Sequence, residues 1–532
     1  MKNNTIITMK KLFNILLLPA LIITAVGCKK SFSDLNTNEN KPTSVPASLL
    51  FNGVLNAMYD APYGSGERFS QYFLCNYDYY GNNRYDFGSG DDYYGTLRNA
   101  DKMVEEAAKS GQAAVNPYEA MAKFFKAYFF TKMSLEMGDI PMSQALQGAE
   151  NLKPAYDPQK KVFQQAFLWL DSANTDLGQL VAAGDNNLQG DIYFDNDIAK
   201  WQKVVNTYRL RLLIHLSKKA DDADLNVKQQ FNMIVSNSAQ YPIMEGMDDN
   251  MEFHFTHPTN DYPMNPDNFG FDALRYNTSA TYVNLLASLK DPRVFVTAEP
   301  AQALVTGSVT PTSFEAFVGA DPGEDLGIMY VKANGGQYSL INRKHYYDTY
   351  TAEPSIQIGY PEMLLNIAEA INRGWIASGP LGDAEAHYKA AILASWGFYG
   401  IPEAGALTVY FLHPGASLGT YDSYNTTVDF ATYYAQTAVK YVGNTADGLT
   451  QILKQRYLAL FRHSGLESYF TNRRTGVPVF TTGPGTGNSE RIPVRFQYPG
   501  QERTANADNY KSALQAQFAG NDDINGVMWI LQ

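Results

Sequence analysis

The residues best suited to contact a ligand are concentrated in one aromatic-rich segment. Between residues 72 and 94, nine of 23 positions are tyrosine or phenylalanine, whereas aromatic residues make up 13% of the whole chain. Asparagine, aspartate and arginine are interleaved with these rings. A tyrosine ring can stack on the apolar face of a sugar while neighbouring amides, carboxylates and guanidinium groups hydrogen-bond the sugar hydroxyls. The composition therefore predicts a binding site for a polar, ring-bearing ligand.

A second segment, residues 253–282, has the same mixture of aromatic, amide, acidic and arginine side chains. Most rings in the two segments are expected to pack the loops against the rest of the protein, and roughly two to four of them to touch ligand. The predicted ligand-binding residues are Tyr77, Tyr79, Tyr80, Arg84, Tyr85, Asp86, Phe269, Phe271, Asp272, Arg275 and Tyr276.

Motifs for catalysis and metal binding are weak. Residues 415–419, GASLG, match the nucleophile elbow G-x-S-x-G, but no helix pattern follows and the alternating parallel-strand units of a hydrolase are missing. His254 and His257 form an isolated H-x-x-H without the HExxH pattern or a cysteine cluster. The chain also lacks P-loop and dinucleotide fingerprints. We therefore expect a protein that is not an enzyme and has no metal and no cofactor.

The first 28 residues have the features of an export signal that ends at a lipid-modified cysteine. Lys10 and Lys11 precede an apolar core at residues 12–26, which is too short to span a bilayer. Residues 25–28, AVGC, resemble a bacterial lipobox, with alanine where leucine is usual, and Cys28 would become the acylated first residue. The alternative is an ordinary signal peptide with Cys28 near its cleavage point.

This interpretation divides the chain into three parts: a signal peptide (1–27), a lipidated tether (28–45) and a single binding domain (46–532). No later apolar run approaches the roughly 20 residues of a spanning helix, so acyl chains on Cys28 would be the only membrane attachment. The formal net charge of −12 repels phosphate backbones, which excludes nucleic acid as a partner. Cys75, the only other cysteine, is expected to be a buried, small apolar residue.

Helical periodicity dominates the domain and supplies the elements that must hold the aromatic segments. Trp201, Val205, Tyr208 and Leu212 are spaced four, three and four apart, which places them on one helix face, and residues 364–375 repeat this spacing. Short connections predict antiparallel, tetratricopeptide-like helix pairs. Further helices are predicted at residues 47–58, 95–109, 118–137, 160–182, 383–396, 429–440 and 453–460.

Long segments without helical periodicity separate these helices. They are too aromatic for disorder, and ordered loops of this length usually carry function. The chain is therefore expected to be an all-α dominated scaffold with long, irregular, aromatic-rich insertions. These insertions are predicted at residues 60–94, 241–279, 297–350, 401–428 and 477–510.

Several blocks in a fixed order resemble the SusD/RagB outer-membrane lipoproteins of Bacteroidetes. They include DLNTN at residues 34–38, GDIP at 138–141, WQKVVNTYRLRLLIHLS at 201–217, DPR at 291–293, YPEMLLNIAEAINRGW at 360–375, residues 384–397, QRYLALFRHSGLESYFTNRRTGVP at 455–478, RIPVR at 491–495 and YP at 498–499. The resemblance implies one SusD-like domain with tetratricopeptide-like pairs. It also implies a SusC-like TonB-dependent transporter as partner, a lipid-anchored position at the cell outer membrane facing outside, and no catalysis.

Ligand positions vary within this family, so the resemblance assigns none here. Its blocks instead mark scaffold positions: Glu369, Arg473 and Arg474 are expected to be buried structural groups. A buried arginine needs a carboxylate or carbonyl partner, and Glu467 is a candidate close in sequence.

The resulting prediction is a surface lipoprotein that captures oligosaccharides and delivers them to the transporter. A peptide-binding, RagB-like lipoprotein is the alternative, because the same aromatic loops could hold a peptide backbone. A helical glycoside hydrolase is a third hypothesis, which requires two carboxylates facing each other across the scissile bond.

Overall fold

Helices account for most of the secondary structure, as the sequence periodicity predicts. The computed structural model describes residues 44–532, so the predicted signal peptide, Cys28 and nearly all of the predicted tether lie outside the described residues. The helices of the described part are α1 (Ala47–Asn56), α2 (Ser65–Phe69), α3 (Tyr94–Lys109), α4 (Pro117–Met137), α5 (Gln159–Ala183), α6 (Ile198–His215), α7 (Val227–Ser236), α8 (Phe269–Asp272), α9 (Ala280–Ser288), α10 (Val294–Thr297), α11 (Gln302–Thr306), α12 (Leu326–Asn334), α13 (Arg343–Tyr347), α14 (Tyr360–Asn372), α15 (Ala384–Phe398), α16 (Phe430–Tyr434), α17 (Ala446–Ala459), α18 (Glu467–Thr475), α19 (Glu502–Ala505) and α20 (Ala507–Phe518).

The strands of residues 44–532 are short and pair as antiparallel two-stranded sheets. β1 pairs with β5, β2 with β3, β4 with β6, and β7 with β8. Their bounds are β1 (Phe73–Cys75), β2 (Ile140–Pro141), β3 (Tyr156–Asp157), β4 (Met251–Phe253), β5 (Tyr276–Thr278), β6 (Ser355–Ile358), β7 (Ala404–Leu412) and β8 (Tyr421–Asp429). These sheets join loops to the helical scaffold, and the predicted all-α dominated fold is confirmed.

Successive helices pack against each other: α3 contacts α4, α4 contacts α5, α5 contacts α6, and α14 contacts α15. Helix α4 shows the local causes. The side chain of Asn116 caps its first turn by accepting from the Glu119 amide at 3.0 Å, and Pro117 occupies the first helical position. The helix buries Phe124 and Phe125, and the Phe124 ring lies 6.0 Å from the ring of Trp201 on α6. Aromatic packing between neighbouring helices therefore forms the core.

A buried ionic network joins four helices. Arg211 on α6 and Arg456 on α17 both donate to Glu362 Oε1 on α14, at 2.9 and 2.8 Å. Glu467 on α18 lies 3.2 Å from Arg456 and 3.0 Å from His215. Burial alone would raise the pKa of Glu467, but these neighbouring cationic groups hold it well below its ordinary value. The network fixes the relative positions of α6, α14, α17 and α18.

The predicted scaffold residues are largely confirmed, with one correction. Glu369 is fully buried and accepts from Arg474 Nη2 at 2.9 Å, and Arg474 is also buried. Arg473 is partly buried and donates to the carbonyls of Val494 and Leu135. The predicted pairing of Glu467 with these arginines is wrong, because Glu467 joins the network of Arg456 and His215 instead.

Several predicted segments differ from the structure: the predicted loops 60–94, 241–279 and 477–510 each contain a short helix, α2, α8 and α19 respectively. The predicted loop 401–428 contains most of the β7–β8 hairpin; buried Leu407, Val409 and Phe411 alternate with exposed residues, which is the period-two pattern of a strand. The predicted loop 297–350 contains α11, α12 and α13, which are too short to show strong periodicity. The helix predicted at 429–440 ends at Tyr434.

Two further features of residues 44–532 are the burial of Cys75 and the length and polarity of the helices. Cys75 is buried and unpaired, as predicted. Within residues 44–532, every helix is too short or too polar to cross a bilayer.

Candidate ligand-binding site

The two aromatic-rich segments meet because β1 and β5 pair. Phe73 lies opposite Thr278 and Cys75 opposite Tyr276. The pairing continues one residue further, since the Asn76 amide donates to the Arg275 carbonyl at 2.9 Å. Residues 76–84, which we name the tyrosine loop, therefore leave the sheet beside residues 269–275. Asn76 and Leu274 are 198 positions apart in the chain. The pairing therefore brings two distant segments together into one surface.

Asn83 closes the tyrosine loop. Its side-chain oxygen accepts from the Cys75 amide at 2.9 Å, and its side-chain nitrogen donates to the Cys75 carbonyl at 2.8 Å. Asn76 holds the other end by donating to the Leu274 carbonyl at 2.9 Å. The loop turns at Gly81, whose φ of +136° is unfavourable for other residues, and a Cβ there would lie 2.7 Å from Arg68 Nη1. The loop conformation is therefore held by side chains that point away from solvent.

The loop presents two tyrosines next to a third from α12. The ring centroid of Tyr77 lies 6.2 Å from that of Tyr80 and 5.4 Å from that of Tyr330. We name Tyr77, Tyr80 and Tyr330 the tyrosine platform. Tyr77 is 40% exposed and Tyr330 36% exposed, while the neighbouring Tyr79 is 84% exposed. Tyr80 is partly exposed. Tilted rings at these separations, two of them exposed, offer successive faces on which sugar rings can stack.

Arg275 lies against the platform. Its guanidinium carbon is 4.9 Å from the ring centroid of Tyr77 and 6.0 Å from that of Tyr80. The side chain is partly exposed. Stacking on two rings limits the positions of the guanidinium group and leaves its N–H donors available to a ligand.

Four other predicted residues surround this surface in supporting roles. Asp272 accepts from the Tyr347 hydroxyl at 2.7 Å, and burial raises the pKa of its carboxyl. Phe269 packs edge-on against Tyr347 at 5.7 Å. Tyr276 packs edge-on against Phe73, and burial raises the pKa of Tyr276 to about 12. Phe271 is 70% exposed and is available to a ligand.

The remaining predicted residues lie on the far side of the tyrosine loop. Arg84 and Asp86 form an exposed ion pair with each other. The structure corrects the prediction for Tyr85, which is 2% exposed. Its hydroxyl accepts from Gln71 Nε2 at 3.0 Å and donates to the Phe69 carbonyl at 3.1 Å. Tyr85 therefore packs the loop against the scaffold and is removed from the candidate site.

Sequence reasoning missed Tyr330. It lies on α12, inside a segment predicted to be irregular. Met329 anchors this helix in a small buried cluster with Leu74 of β1, and Asn83 Nδ2 approaches the Met329 sulfur at 3.8 Å. The apolar run IMYV at residues 328–331 is visible in the sequence, but it does not show that this helix lies beside the tyrosine loop or that Ile328 and Val331 are 52% and 69% exposed.

A groove of about 860 Å³ lies elsewhere, lined by residues of α5, α6 and α7. Its two aromatic lining residues, Phe167 and Tyr241, are buried, and each ring centroid lies 6.0 Å from Arg209. Arg209 is already paired with Asp171 at 3.0 Å. The aromatic residues that line this groove offer no exposed ring for stacking, so the platform is the better candidate site.

The catalytic and metal-binding motifs stay apart from the platform. Residues 415–419 form the tip of the β7–β8 hairpin, with Ser417 exposed and His413 paired to Asp422 at 3.0 Å. His257 pairs with Asp261 at 2.9 Å and stacks on Tyr350. Across residues 44–532, no group of three or more histidine, cysteine, aspartate or glutamate residues is arranged to hold a metal ion.

The chain is similar to known proteins in both sequence and structure. Residues 39–499 match the SusD-like family model described as starch-binding and associating with the outer membrane. No curated protein matches the chain.

Solved structures extend this similarity to the fold. A SusD homologue from Bacteroides fragilis is 32% identical, covers 92% of this chain and 100% of its own, and has a TM-score of 0.78. An outer membrane protein from Bacteroides vulgatus, described as probably involved in nutrient binding, is 29% identical with the same coverage and a TM-score of 0.76. A chitin-binding SusD homologue from Flavobacterium johnsoniae is 19% identical, covers 91% of this chain and 98% of its own, and has a TM-score of 0.66, which shows a shared fold.

Proposed function

The chain belongs to the SusD-like family, and from this premise we propose that it captures oligosaccharides at the cell surface and delivers them to a SusC-like TonB-dependent transporter. Members of this family are outer-membrane-associated nutrient-binding proteins, and glycan binding holds at the family level. The glycan ligand, the transporter partner and the delivery step are the proposed parts.

The observation that carries the proposal is the tyrosine platform. Tyr77 and Tyr330 present exposed rings, Tyr80 presents a partly exposed one, and Arg275 supplies hydrogen-bond donors beside them. Aromatic stacking combined with a few placed polar groups is the usual chemistry of sugar recognition. The platform has no nucleophile and general base arranged for catalysis among its residues, so the proposal is one of capture without reaction.

Membrane attachment through Cys28 is also proposed. The support is the apolar stretch at residues 12–26 followed by AVGC. A lipid tether would hold the domain at the outer membrane, facing outside, where a transporter could receive its cargo. A covalent lipid tether would raise the effective concentration of the domain near a membrane partner, so the two could remain close without a large interface.

Glycan titrations against single platform variants test the proposed function. The probes are maltohexaose and chitohexaose as neutral glycans, oligogalacturonate and a sulfated galactan oligosaccharide as acidic glycans, and a mixture of peptides. We expect the parent protein to bind at least one glycan and no peptide. Replacing Tyr77 or Tyr80 by alanine should weaken glycan binding about five- to thirtyfold, because a lost aromatic contact costs about 1–2 kcal/mol.

Tyr410→Ala is the matched control, since Tyr410 is 44% exposed on the β7–β8 hairpin and contacts no platform residue. It should bind as the parent protein does. Binding of peptides alone would favour the peptide-capture alternative, and equal binding by Tyr77→Ala and the parent protein would remove the platform from the site. Release of reducing ends from any glycan would instead support the hydrolase hypothesis.

A further inference from the structure

Arg275 differs from the buried arginines of the scaffold, because its side chain has no hydrogen-bonding or ion-pairing partner among residues 44–532. Arg211, Arg293 and Arg474 are buried and each pairs with a carboxylate. The Arg275 side chain contacts the rings of Tyr77 and Tyr80 but makes no hydrogen bond or ion pair with any of residues 44–532. It is partly exposed at the edge of the platform. Its guanidinium group is therefore a positive charge that is positioned but not neutralised.

A second guanidinium group, that of Arg68, contacts the tyrosine loop at residues 81 and 82. Arg68 donates to the Asn82 carbonyl at 3.2 Å and forms no ion pair with any described carboxylate. Burial raises the pKa of the Cys75 thiol, and Arg68 and Arg275 both partly offset that effect. The positive charges of Arg68 and Arg275 therefore both lie close to Cys75, the last residue of β1, after which the tyrosine loop begins.

Most acidic groups close to this surface already have partners. Asp86 pairs with Arg84, and Asp272 accepts from the Tyr347 hydroxyl. Asp78 is the remaining carboxylate of the tyrosine loop and is exposed to solvent. A protein of net charge −12 thus places two arginines without carboxylate partners around its most exposed cluster of rings.

We propose that the tyrosine platform is selective for acidic glycans, whose carboxylate or sulfate group pairs with Arg275 while a neighbouring sugar ring stacks on a platform tyrosine. This inference rests on the proposed function and specifies its substrate class. The planar guanidinium group matches a carboxylate or a sulfate with two parallel hydrogen bonds. Stacking on Tyr77 and Tyr80 reduces the freedom that Arg275 would lose on binding. A neutral glycan could use the rings but would leave the charge of Arg275 unpaired.

The test compares acidic and neutral oligosaccharides of equal length by calorimetry. Oligogalacturonate supplies carboxylates and a sulfated galactan oligosaccharide supplies sulfates, while maltohexaose and chitohexaose are neutral. The parent protein should bind one of the acidic glycans at least about tenfold more tightly than either neutral one, since hydrogen bonds to charged groups are worth about 1.5–3 kcal/mol. The acidic arm that binds identifies carboxylate or sulfate as the recognised group.

Arg275→Gln should weaken acidic-glycan binding about ten- to a hundredfold and abolish the preference over neutral glycans. Arg98→Gln removes the same charge from an exposed position on α3 and should leave the preference intact. Thermal unfolding of both variants verifies that they fold. If added salt weakens acidic-glycan binding by the parent protein but not by Arg275→Gln, that difference would add support.

Two results overturn the inference. If neutral glycans bind as tightly as acidic ones, the platform recognises oligosaccharides without charge selection and the proposed function survives alone. If Arg275→Gln weakens neutral and acidic glycans equally, Arg275 only orders the tyrosine rings. Failure of every glycan in the panel to bind would reject the proposed function together with the inference.

Discussion

Replacing Asn83 by alanine should weaken ligand binding although Asn83 is not proposed to touch the ligand. Its side chain makes two hydrogen bonds to the backbone of Cys75, at 2.9 and 2.8 Å, and these bonds close the tyrosine loop. Each such bond contributes a net of about 0.5–1.5 kcal/mol. Losing both bonds lowers the free energy that stabilises the ordered conformation of the loop by about 1–3 kcal/mol, and alanine offers no replacement for either bond.

The loss of order sets a ceiling on the loss of affinity. If the loop must be ordered before ligand binds, the apparent dissociation constant equals the intrinsic constant divided by the fraction of molecules whose loop is ordered. A cost of about 1–3 kcal/mol therefore corresponds to an increase of at most about five- to 150-fold in Kd. The global stability should change less than this local cost, because the hydrophobic core lies outside the loop.

Calorimetric titration of Asn83→Ala with the best-binding glycan is the direct assay, with hydrogen exchange of residues 76–84 as a measure of loop order. Asn82→Ala is the matched control, because Asn82 is the exposed neighbour and its side chain accepts only a local bond from the Arg84 amide at 3.0 Å. Unchanged affinity for Asn83→Ala, with faster exchange in the loop, would refute the idea that the ordered loop forms the site. Equal losses in both asparagine variants would show that the closing bonds of Asn83 have no special role.

Three further predictions concern stability and attachment. Burial raises the pKa of Glu136 to about 8, so the folded protein keeps a proton that the unfolded chain loses above the ordinary pKa of 4.5. The parent protein should therefore lose stability as the pH rises from about 5 to about 8. In a series of thermal unfolding measurements over this pH range, Glu136→Gln should lose less stability than the parent protein. Glu369→Ala should destabilise the protein by about 3–5 kcal/mol in denaturant unfolding, because it leaves the buried Arg474 without its carboxylate. Glu105→Ala, which breaks a solvent-exposed pair with Lys102, is the control and should leave the unfolding midpoint almost unchanged. Cys28→Ala should release the protein from the membrane fraction with unchanged glycan affinity, and retention in membranes without any transporter present would contradict the lipid anchor.

The helical scaffold could be predicted from sequence because its signal is local. The spacing of Trp201, Val205, Tyr208 and Leu212 indicated the helix that the structure places at Ile198–His215, and all four side chains are buried. The β7–β8 hairpin was missed because the alternation of Leu407, Val409 and Phe411 is short, and its partner strand, YDSYNTTVD at residues 421–429, has no alternation of apolar and polar residues. Local periodicity is therefore a good guide to helices and a poor one to isolated hairpins.

The candidate site was predicted only in part, for a different physical reason. Composition identified two segments that contain Tyr77, Tyr80 and Arg275, and the pairing of β1 with β5 brings them together. Composition could not separate Tyr85, whose ring is buried, from Tyr77, whose ring is exposed, because both lie in the same polar and aromatic context. Tyr330 could not be found without the fold, since only the packing of Met329 against Leu74 places α12 beside the loop.

The same pair of residue types, arginine and tyrosine, serves two purposes in this protein, and the presence of a carboxylate distinguishes them. Arg462 lies 3.3 Å from the ring centroid of the partly buried Tyr63 and pairs with Glu67, and the side chains of Arg462 and Glu67 are both buried. Arg275 lies over Tyr77 in a similar way, but it has no carboxylate and it faces solvent. Burying a charge requires a compensating partner within the protein, whereas an exposed arginine can leave that partner to be supplied by a ligand. If an acidic glycan supplies the carboxylate, Arg275 forms on the protein surface the same kind of arginine–carboxylate pair that Arg462 forms with Glu67 inside the scaffold.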